Sequence, residues 1–340
     1  MRCPECNHNQ KYRDGTRCGK CSYQFVLRKK SDGLSDHGLR QIIKRLSDSG
    51  QYAFTETQLL LEICRYWRRS ATKEMIIGLV ISAIPLAIFG IAIGWAVSGV
   101  IYGIILIWMI WGSQRRKTHL PLAKARKLVQ RYHQAHPITE LADGKAFLQQ
   151  ATAEQPYGED YAPERILIVE RDEWVDLLVR NRFHLSHKTA VLSRSGYPQR
   201  VLDACRAFLR QHPQTPVQLL HDASLTGFNL KAQLSSDPNW CLAGQKLVDL
   251  GLSKQTLQNA GRLPWLPANP RHKGRLSADV TKMLSGRYRM PLDCLGPKAS
   301  LSLIGAALLG GALLLPTPPA SGDSSGGDSS GGDFGGDDFG

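Results

Sequence analysis

Short apolar runs that alternate with helical segments constrain the fold of this chain more than any other feature. The runs Ile166–Val169, Ala190–Ser193 and Val217–Leu220 have the length and aliphatic composition of buried strands. Residues 171–182 and 199–211, which separate them, carry apolar side chains at helical spacing. Strands that alternate with helices of about a dozen residues form a parallel sheet. We therefore expect an α/β domain with a parallel sheet in this half of the chain.

Acidic residues follow two of these predicted strands. Glu170 closes the first run, and Asp222 follows the last one. In open parallel sheets, ligands bind at the carboxyl ends of the strands. We therefore expect Glu170 and Asp222 to share one sheet edge and a cleft, where Gly196 and Gly227 allow close backbone approach. The alternative is a generic flavodoxin-like or Rossmann-like sheet, in which each acid caps a helix or lies in a solvated turn.

The pattern resembles the Toprim domain, most closely that of the type IIB topoisomerase A subunit and its related nucleases. The likeness covers roughly residues 163–265 and rests on Glu170, Asp222 and the Gly-Tyr-Pro turn at residues 196–198. The resemblance implies that a Glu and an Asp-x-Asp pair hold magnesium, with Glu170 and the first Asp, Asp222, as ligands. The second Asp of that pair is Ser224 here. No segment matches the tyrosine motif of the family, so strand passage through a tyrosyl linkage is not expected.

The departure at Ser224 leaves two functions open. In the first, the domain is a magnesium-dependent nuclease or nucleic-acid-processing enzyme, in which Asp172 replaces the missing ligand and magnesium polarises a phosphodiester. The candidate catalytic residues are then Glu170, Asp222 and Asp172. In the second, the domain has lost catalysis and serves as a nucleic-acid-binding or scaffold module. A hydroxyl lacks the charge that offsets the dehydration of magnesium, so Ser224 favours the second function.

Four cysteines near the start of the chain form the other strong motif. Cys3, Cys6, Cys18 and Cys21 have the spacing C-x2-C-x11-C-x2-C, which brings four thiolates to one tetrahedral ion. We predict a zinc ribbon over residues 1–30. The zinc is structural, because four sulfur ligands leave no position for water. Two disulfides are the alternative, and the spacing does not distinguish a nucleic-acid ligand of the ribbon from a protein partner.

A long uncharged run predicts a membrane anchor. From Met75 to Gly112 the chain has 38 residues without a charged side chain, and one membrane-spanning helix needs about 20. We predict two transmembrane helices over residues 75–112, with basic residues on both flanks facing the cytoplasm. This predicts a multi-pass protein of the inner (cytoplasmic) membrane, with the lipid bilayer as a partner and its other domains in the cytoplasm. A buried helical hairpin is the alternative.

Helical segments flank the uncharged run. Residues 31–70 are predicted as a small helical module, with helices near residues 36–47 and 57–67. The module is either a spacer or a minimal helix-turn-helix. Residues 113–160 are predicted as a basic juxtamembrane region, whose helix at residues 123–134 lies close to the lipid surface.

The predicted Toprim-like domain, residues 161–295, ends in a basic extension. Residues 262–289 carry seven Lys or Arg side chains against a single Asp, together with aromatic residues. That combination is typical of nucleic-acid binding or of an interfacial anchor. The candidate nucleic-acid-binding residues are Arg271, Lys273, Arg275 and Arg287. Residues 299–316 are apolar and form either a third membrane helix or a buried or interfacial one. Residues 317–340 repeat Gly, Ser and Asp and are predicted to be disordered.

The charge balance limits the partners that the chain can bind. The formal net charge is +14, although the tail carries five Asp and no basic residue. A body this basic favours anionic partners, which include nucleic acid and the inner-leaflet lipid surface. The sequence has no Gly-x-Ser-x-Gly elbow, phosphate-binding loop or His-Glu-x-x-His helix. The whole is predicted as a multidomain membrane protein with a zinc ribbon, a helical module and a Toprim-like α/β domain.

Overall fold

A computed structural model describes residues 1–93, 103, 107, 120–148, 163–240, 242, 244–253, 265–267, 284 and 288–311. The chain divides into two compact units. The first contains residues 1–23, 44–58 and 139–340, and the second contains residues 24–43 and 59–138. Each unit is therefore assembled from segments that are distant in sequence, rather than from one continuous stretch of chain.

A four-stranded parallel sheet forms the core of the first unit. The described part of the chain has eight strands, of which four form this sheet: β1 (Phe54–Thr55), β2 (Leu141–Ala142), β3 (Arg165–Val169), β4 (Thr189–Ser193), β5 (Val217–Leu220), β6 (Leu247–Asp249), β7 (Leu266–Pro267) and β8 (Tyr288–Arg289). The main sheet has the order β4-β3-β5-β6, and all its neighbouring strands are parallel. β1 and β2 form a small parallel pair, while β7 and β8 pair antiparallel. The predicted α/β domain with a parallel sheet is confirmed.

Helices cover this sheet because their apolar faces match it. The α-helices in the described part of the chain are α1 (Lys29–Asp32), α2 (Asp36–Leu46), α3 (Glu56–Ile93), α4 (Leu122–Ala135), α5 (Asp172–Arg180), α6 (Phe183–Ser186), α7 (Gln199–Gln211), α8 (Leu225–Phe228), α9 (Leu230–Ser236) and α10 (Pro297–Gly310). Trp174 and Leu178 of α5, and Leu202 and Cys205 of α7, are buried in one core with the strands. Burial of each such side chain contributes roughly 1.5–3 kcal/mol.

Asp176 of helix α5 forms hydrogen bonds to the segment that follows β2. Its carboxylate is fully buried and accepts the backbone N–H groups of Gly144 at 2.8 Å, Lys145 at 3.0 Å and Ala146 at 3.2 Å. The hydroxyl of Tyr197 donates to its other oxygen at 2.7 Å. A buried carboxylate is tolerated only when such donors replace water, so we assign Asp176 a structural role.

The apolar segment predicted at residues 299–316 is a buried helix and not a membrane span. Its described part forms α10, whose residues Ile304, Ala307 and Leu308 belong to the core of the α/β domain. The side chain of Gln218 on β5 donates to the carbonyl of Leu308 at 3.1 Å. At 1.5 Å per residue this helix is about 21 Å long, shorter than the hydrocarbon core of a bilayer. The alternative of a third membrane helix is therefore wrong.

The second unit is helical. It contains α1, most of α2, the part of α3 from Leu59 onward, and α4. Asp36, at the start of α2, accepts the N–H groups of Val26 at 3.1 Å and Leu27 at 3.3 Å. Burial raises the pKa of Asp36 to about 6, although these N–H groups act in the opposite direction. The buried apolar side chains of the unit include Leu39, Ile42, Leu60, Ile63, Leu128, Val129 and Tyr132.

The predicted transmembrane hairpin is corrected by the structure. Within the residues described, no helix is both long enough and apolar enough to cross a membrane. The uncharged run continues α3, which begins at Glu56 and contains Arg65 and Arg68 before it reaches Met75. The first turns of α3 bury their apolar side chains inside the protein. The membrane anchor, the multi-pass topology and the inner-membrane location are accordingly not supported. Residues 94–102, 104–106 and 108–119 lie outside the described part.

Candidate metal centre and the Glu170–Asp222 cluster

Four cysteine sulfurs converge near the start of the chain. The Sγ atoms of Cys3 and Cys21 are 3.5 Å apart, as are those of Cys6 and Cys18, and all four lie within 4.8 Å of one another. A tetrahedral zinc ion with bonds of about 2.3 Å places its sulfur ligands about 3.8 Å apart. The four thiols are free, so the alternative of two disulfides is not observed. The cluster is suited to hold a metal ion.

Two similar turns produce this convergence. The N–H of Asn7 donates to the carbonyl of Cys3 at 3.1 Å, and the N–H of Ser22 donates to the carbonyl of Cys18 at 2.9 Å. Asn7 and Ser22 each follow the second cysteine of a pair, and both have positive φ, 57° and 60°. Asn tolerates this left-handed conformation better than most residues. The repeated turn places both cysteine pairs around one point.

The backbone also favours the thiolate form of Cys18. Burial raises the pKa of this thiol, but the N–H groups of Cys21 and Lys20 and the side chain of Cys6 stabilise its anion and lower the pKa to about 6. The thiolate is the form of cysteine that binds metal. In the same cluster, burial raises the pKa of Cys3. A backbone N–H lowers the pKa of Cys21, but burial together with the neighbouring thiols outweighs it and raises the pKa, so the four thiols do not all favour the thiolate.

Glu170 and Asp222 lie side by side at the carboxyl edge of the sheet. Glu170 directly follows β3 and Asp222 follows β5, which is the neighbouring strand. The N–H of Asp222 donates to Oε2 of Glu170 at 2.9 Å. A Cβ atom at Gly227 would lie 2.2 Å from the carbonyl oxygen of Asp222 and 3.1 Å from Oε2 of Glu170, so this approach requires a glycine.

Ser224, which the predicted resemblance to the Toprim domain places at a second acid position, makes two other contacts. Its hydroxyl donates to Oε1 of Glu170 at 3.0 Å and accepts the N–H of Gly227 at 2.9 Å as the N-cap of α8. The hydroxyl of Thr226 also donates to Oε1 of Glu170. Neutral donors thus surround the Glu170 carboxylate, and Ser224 supplies one of them.

Arginines neutralise the buried carboxylate of Asp222, which is 2% exposed. Its Oδ2 lies 2.8 Å from Nη1 of Arg289 and 3.4 Å from Nε of Arg171. Its Oδ1 accepts the N–H of Leu292 at 3.0 Å. Both oxygens of Asp222 are therefore engaged by groups of the protein itself.

A backbone bridge brings Arg289 and Leu292 to Asp222. Ala223 and Met290 form an isolated antiparallel bridge, and each N–H donates to the other carbonyl at 3.0 Å. The bridge fixes the returning chain beside the edge of the sheet, so that the residues on either side of Met290 reach the carboxylate. The predicted basic extension thus contributes a cation to the interior of the domain.

Arg171 is shared among three acids. It pairs with Asp222, with Asp293 and, at 2.7 Å, with Glu173. Asp293 is buried and also accepts the hydroxyl of Thr55. Burial alone would lower the pKa of Arg171, but Asp222, Asp293 and Glu173 together raise it above its ordinary value. Arg171 therefore stays charged. Through Asp293, which Thr55 also contacts, it links the end of β1 to the cluster.

Asp172 does not join Glu170 and Asp222 as a third carboxylate ligand. Its Oδ1 accepts the hydroxyl of Ser195 at 2.6 Å. Among the described residues, the four cysteines are the one group of three or more His, Cys, Asp or Glu side chains placed to hold a metal ion. The structure thus gives no support for magnesium at the sheet edge.

Beside the cluster, the buried side chain of His221 pairs with Asp249, whose side chain is exposed. Nε2 of His221 lies 3.0 Å from Oδ1 of Asp249, and its Nδ1 lies 2.7 Å from the carbonyl oxygen of Asp222. Burial lowers the pKa of His221, but the hydrogen bond and charge of Asp249 outweigh it, so the pKa is raised. The ring is 2% exposed, its Nδ1 faces a backbone carbonyl and its Nε2 faces Asp249, so His221 is poorly placed to act as a general base on a substrate.

The predicted tail at residues 317–340 lies outside the described residues. So do the four residues predicted to bind nucleic acid, which are Arg271, Lys273, Arg275 and Arg287. Sequence reasoning missed the cations and the acid that complete the cluster, Arg171, Arg289 and Asp293. Arg171 gave one usable signal, since it directly follows Glu170. Asp293 gave none, because only the fold brings residue 293 to the sheet edge.

Comparison with known proteins finds no family model, no curated protein and no solved structure that matches this chain. The resemblance to the Toprim domain therefore stays a prediction from the sequence.

Proposed function

We propose that this chain is a zinc-stabilised nucleic-acid-binding protein whose α/β domain is not catalytic. The observation that carries the proposal is the environment of Asp222. Arg289, Arg171 and the N–H of Leu292 occupy the oxygens that a magnesium ion would need. The α/β domain is thus proposed to be a binding module and not a nuclease.

The chemistry of magnesium supports the absence of catalysis. Magnesium requires near-octahedral oxygen ligands and keeps several waters, so its site needs open carboxylate oxygens and room for solvent. At Asp222, which is buried, guanidinium groups take the place of such a cation. Ser224 donates its hydroxyl to Glu170 and therefore adds no negative charge.

The four sulfurs support zinc as the metal of the cysteine cluster. Four thiolate ligands in tetrahedral arrangement are typical of structural zinc, and they leave no position for a substrate or water. A segment as small as residues 1–23 cannot bury a large core, so the metal supplies much of its folding free energy. The ribbon is then a rigid platform on the same chain as the α/β domain.

The charge of the chain supports nucleic acid as the partner. The net charge of +14 favours polyanions, whose phosphates release condensed counterions when Lys and Arg bind them. Binding of this kind is largely independent of sequence and weakens steeply with salt. A scaffold role without nucleic acid would show no such dependence.

Binding and cleavage measured on the full chain test the proposal. Fluorescence anisotropy with labelled single-stranded and duplex oligonucleotides should show binding that weakens by orders of magnitude between about 50 and 200 mM salt. The same oligonucleotides should stay intact in magnesium or manganese. Absence of binding at the lowest salt would contradict the nucleic-acid assignment. Metal-dependent cleavage that Asp222→Asn abolishes would instead favour the nuclease.

A further inference from the structure

A cleft in the helical unit is lined mainly by cations. It has a volume of about 350 Å³ and is bounded by Asp32 of α1 and by one face of α4. The residues that line it are Asp32, Ala123, Lys124, Lys127, Leu128 and Arg131. Ligand sites in proteins are usually clefts of about 300–1,000 Å³, so this volume suffices for a small ligand or for part of a larger one.

The cations of the cleft form a row along α4. Lys124, Lys127 and Arg131 stand at positions i, i+3 and i+7, which lie on one face of a helix. The row extends over two turns, about 10 Å along the axis. Helix α4 contains no acidic residue, so its own side chains do not neutralise the row.

Arg131 is held in place from α1. Asp32 accepts the N–H of Arg28 at 2.7 Å and pairs with Nη2 of Arg131 at 2.8 Å. Burial raises the pKa of Asp32, but the N–H of Arg28 and the charges of Arg131 and Lys124 outweigh it, so the pKa is lowered. One oxygen of Asp32 engages only one edge of the guanidinium, whose planar fork has five N–H donors. The remaining donors of Arg131 are thus oriented in advance.

Lys124 is also positioned, while Lys127 is not neutralised. The Nζ atom of Lys124 lies 5.2 Å from the centre of the Trp67 ring, a cation–π distance. Trp67 is itself fixed, because its Nε1–H donates to the carbonyl of Gly33 at 3.0 Å. Lys127 has no ion pair with any residue that the structure describes. The cleft therefore holds three cations against one carboxylate.

From this arrangement we propose that the cleft binds phosphate groups, which the backbone of a nucleic acid supplies. The source of the phosphates rests on the proposed function, whereas the cleft itself rests on the row of cations. Arg binds phosphate through two parallel hydrogen bonds, and Lys binds it as a point charge. One strand of a duplex carries a phosphate for about every 3.4 Å of axis, so a row of about 10 Å can contact more than one. A single carboxylate group is too short to contact cations along the whole row of about 10 Å.

The salt dependence of nucleic-acid binding tests the cleft. The double variant Lys124→Gln/Lys127→Gln of the full chain should lose two phosphate contacts. Each contact contributes about 0.7 to 0.9 to the slope of log K against log salt, so the slope should fall by about 1.4 to 1.8. At about 0.1 M salt that change corresponds to a loss of affinity of about 25- to 60-fold.

A matched control separates the cleft from overall charge. Lys44→Gln/Lys73→Gln removes the same number of charges from exposed positions of α2 and α3 that do not line the cleft. This control should keep the wild-type slope, and both double variants should keep the wild-type Tm. An equal change of slope in the two variants would overturn the proposal that the cleft binds phosphate, although nucleic-acid binding itself would stand.

Two further probes identify the source of the phosphate. Calorimetric titration with pyrophosphate should show binding to the wild type and a large loss in Lys124→Gln/Lys127→Gln. If the wild type binds pyrophosphate in this way but no oligonucleotide, the cleft stands and the proposed function fails. If neither binds, or if only vesicles of anionic lipid bind, the cleft proposal is overturned.

Discussion

The cysteine cluster and the Glu170–Asp222 cluster both match metal-binding patterns in the sequence, but the fold treats them differently. The four sulfurs face one another, and all four remain available to a shared ion. The two acids lie together at the sheet edge, yet Asp222 is enclosed by Arg171 and Arg289, and Glu170 by hydroxyl and N–H donors. The four cysteines are placed to hold a metal ion, whereas the carboxylates of the other cluster are satisfied by groups of the protein.

The difference shows what a metal-ligand motif does and does not determine. When all ligands lie on two short turns, the spacing itself fixes their geometry. When the ligands end separate strands, the fold brings them together but also brings other residues to them. A charge such as Arg289, far along the chain, then decides whether a carboxylate binds an ion or forms an internal ion pair.

Removal of one cysteine should produce the largest effect. Cys18→Ser should lose the metal, because three thiolates and a hydroxyl bind zinc far less tightly than four thiolates, and the ribbon should unfold with it. Structural zinc contributes about 10–16 kcal/mol in isolated ribbon-like peptides. Elemental analysis should find one zinc per chain in the wild type and almost none in the variant. Cys205→Ala, which changes a buried cysteine of the α/β core, should keep its zinc, and loss of zinc there would refute the assignment.

Loss of the Asp222 charge should have the next largest effect. Asp222→Asn leaves Arg171 and Arg289 without their shared anion, and breaking a buried ion pair costs about 3–5 kcal/mol. Urea unfolding measures the change. Asp203, which pairs with Arg206 on the surface with its side chain 60% exposed, is the matched control, and Asp203→Asn should cost at most about 1 kcal/mol. If Asp222→Asn were instead more stable than the wild type, the acids would be repelling each other as they do in an empty metal site.

Ser224 offers a smaller test of the same cluster. Ser224→Ala removes the N-cap of α8 and a donor to Glu170, and a lost N-cap costs about 1 kcal/mol. Ser235→Ala is the control, because the exposed hydroxyl of Ser235 donates only to the carbonyl of Lys231. Its change in unfolding free energy should stay within about 0.5 kcal/mol. Equal effects of the two substitutions would mean that Ser224 has no special structural role.

The His221–Asp249 pair predicts a modest pH dependence. The pKa of His221 is raised in the folded state, so its protonation favours folding. This contribution is fully present below the unfolded pKa of about 6.5 and is lost as the pH rises through the folded pKa. The stability that His221 contributes is the difference in unfolding free energy between the wild type and His221→Gln, and by urea unfolding it should fall from about pH 6 to 8. The same difference for His212→Gln, at an exposed histidine, should not change with pH, and a pH-independent difference for His221→Gln would contradict the pairing.

The local parts of this structure could be predicted from the sequence. The strands that contain Ile168 and Leu219 were evident because buried strands have short aliphatic runs, and the cysteine turns were evident because their ligands are close in sequence. The predicted membrane hairpin is wrong, because no helix of the described residues is both long enough and apolar enough to cross a membrane, and the run from Met75 continues a helix that begins at Glu56 and carries Arg65 and Arg68. The charge compensation at Asp222 was unpredictable, because it depends on a backbone bridge between Ala223 and Met290.

A single titration tests the central claim that the two clusters differ in their need for metal. The full chain, stripped of metal under reducing conditions, is titrated by calorimetry with zinc and then with magnesium. We expect one tight zinc site, which Cys18→Ser abolishes and Asp222→Asn leaves intact, and no magnesium binding in the millimolar range. Stoichiometric magnesium binding that Asp222→Asn removes would contradict the account, because the arginines around Asp222 would then not have replaced the metal.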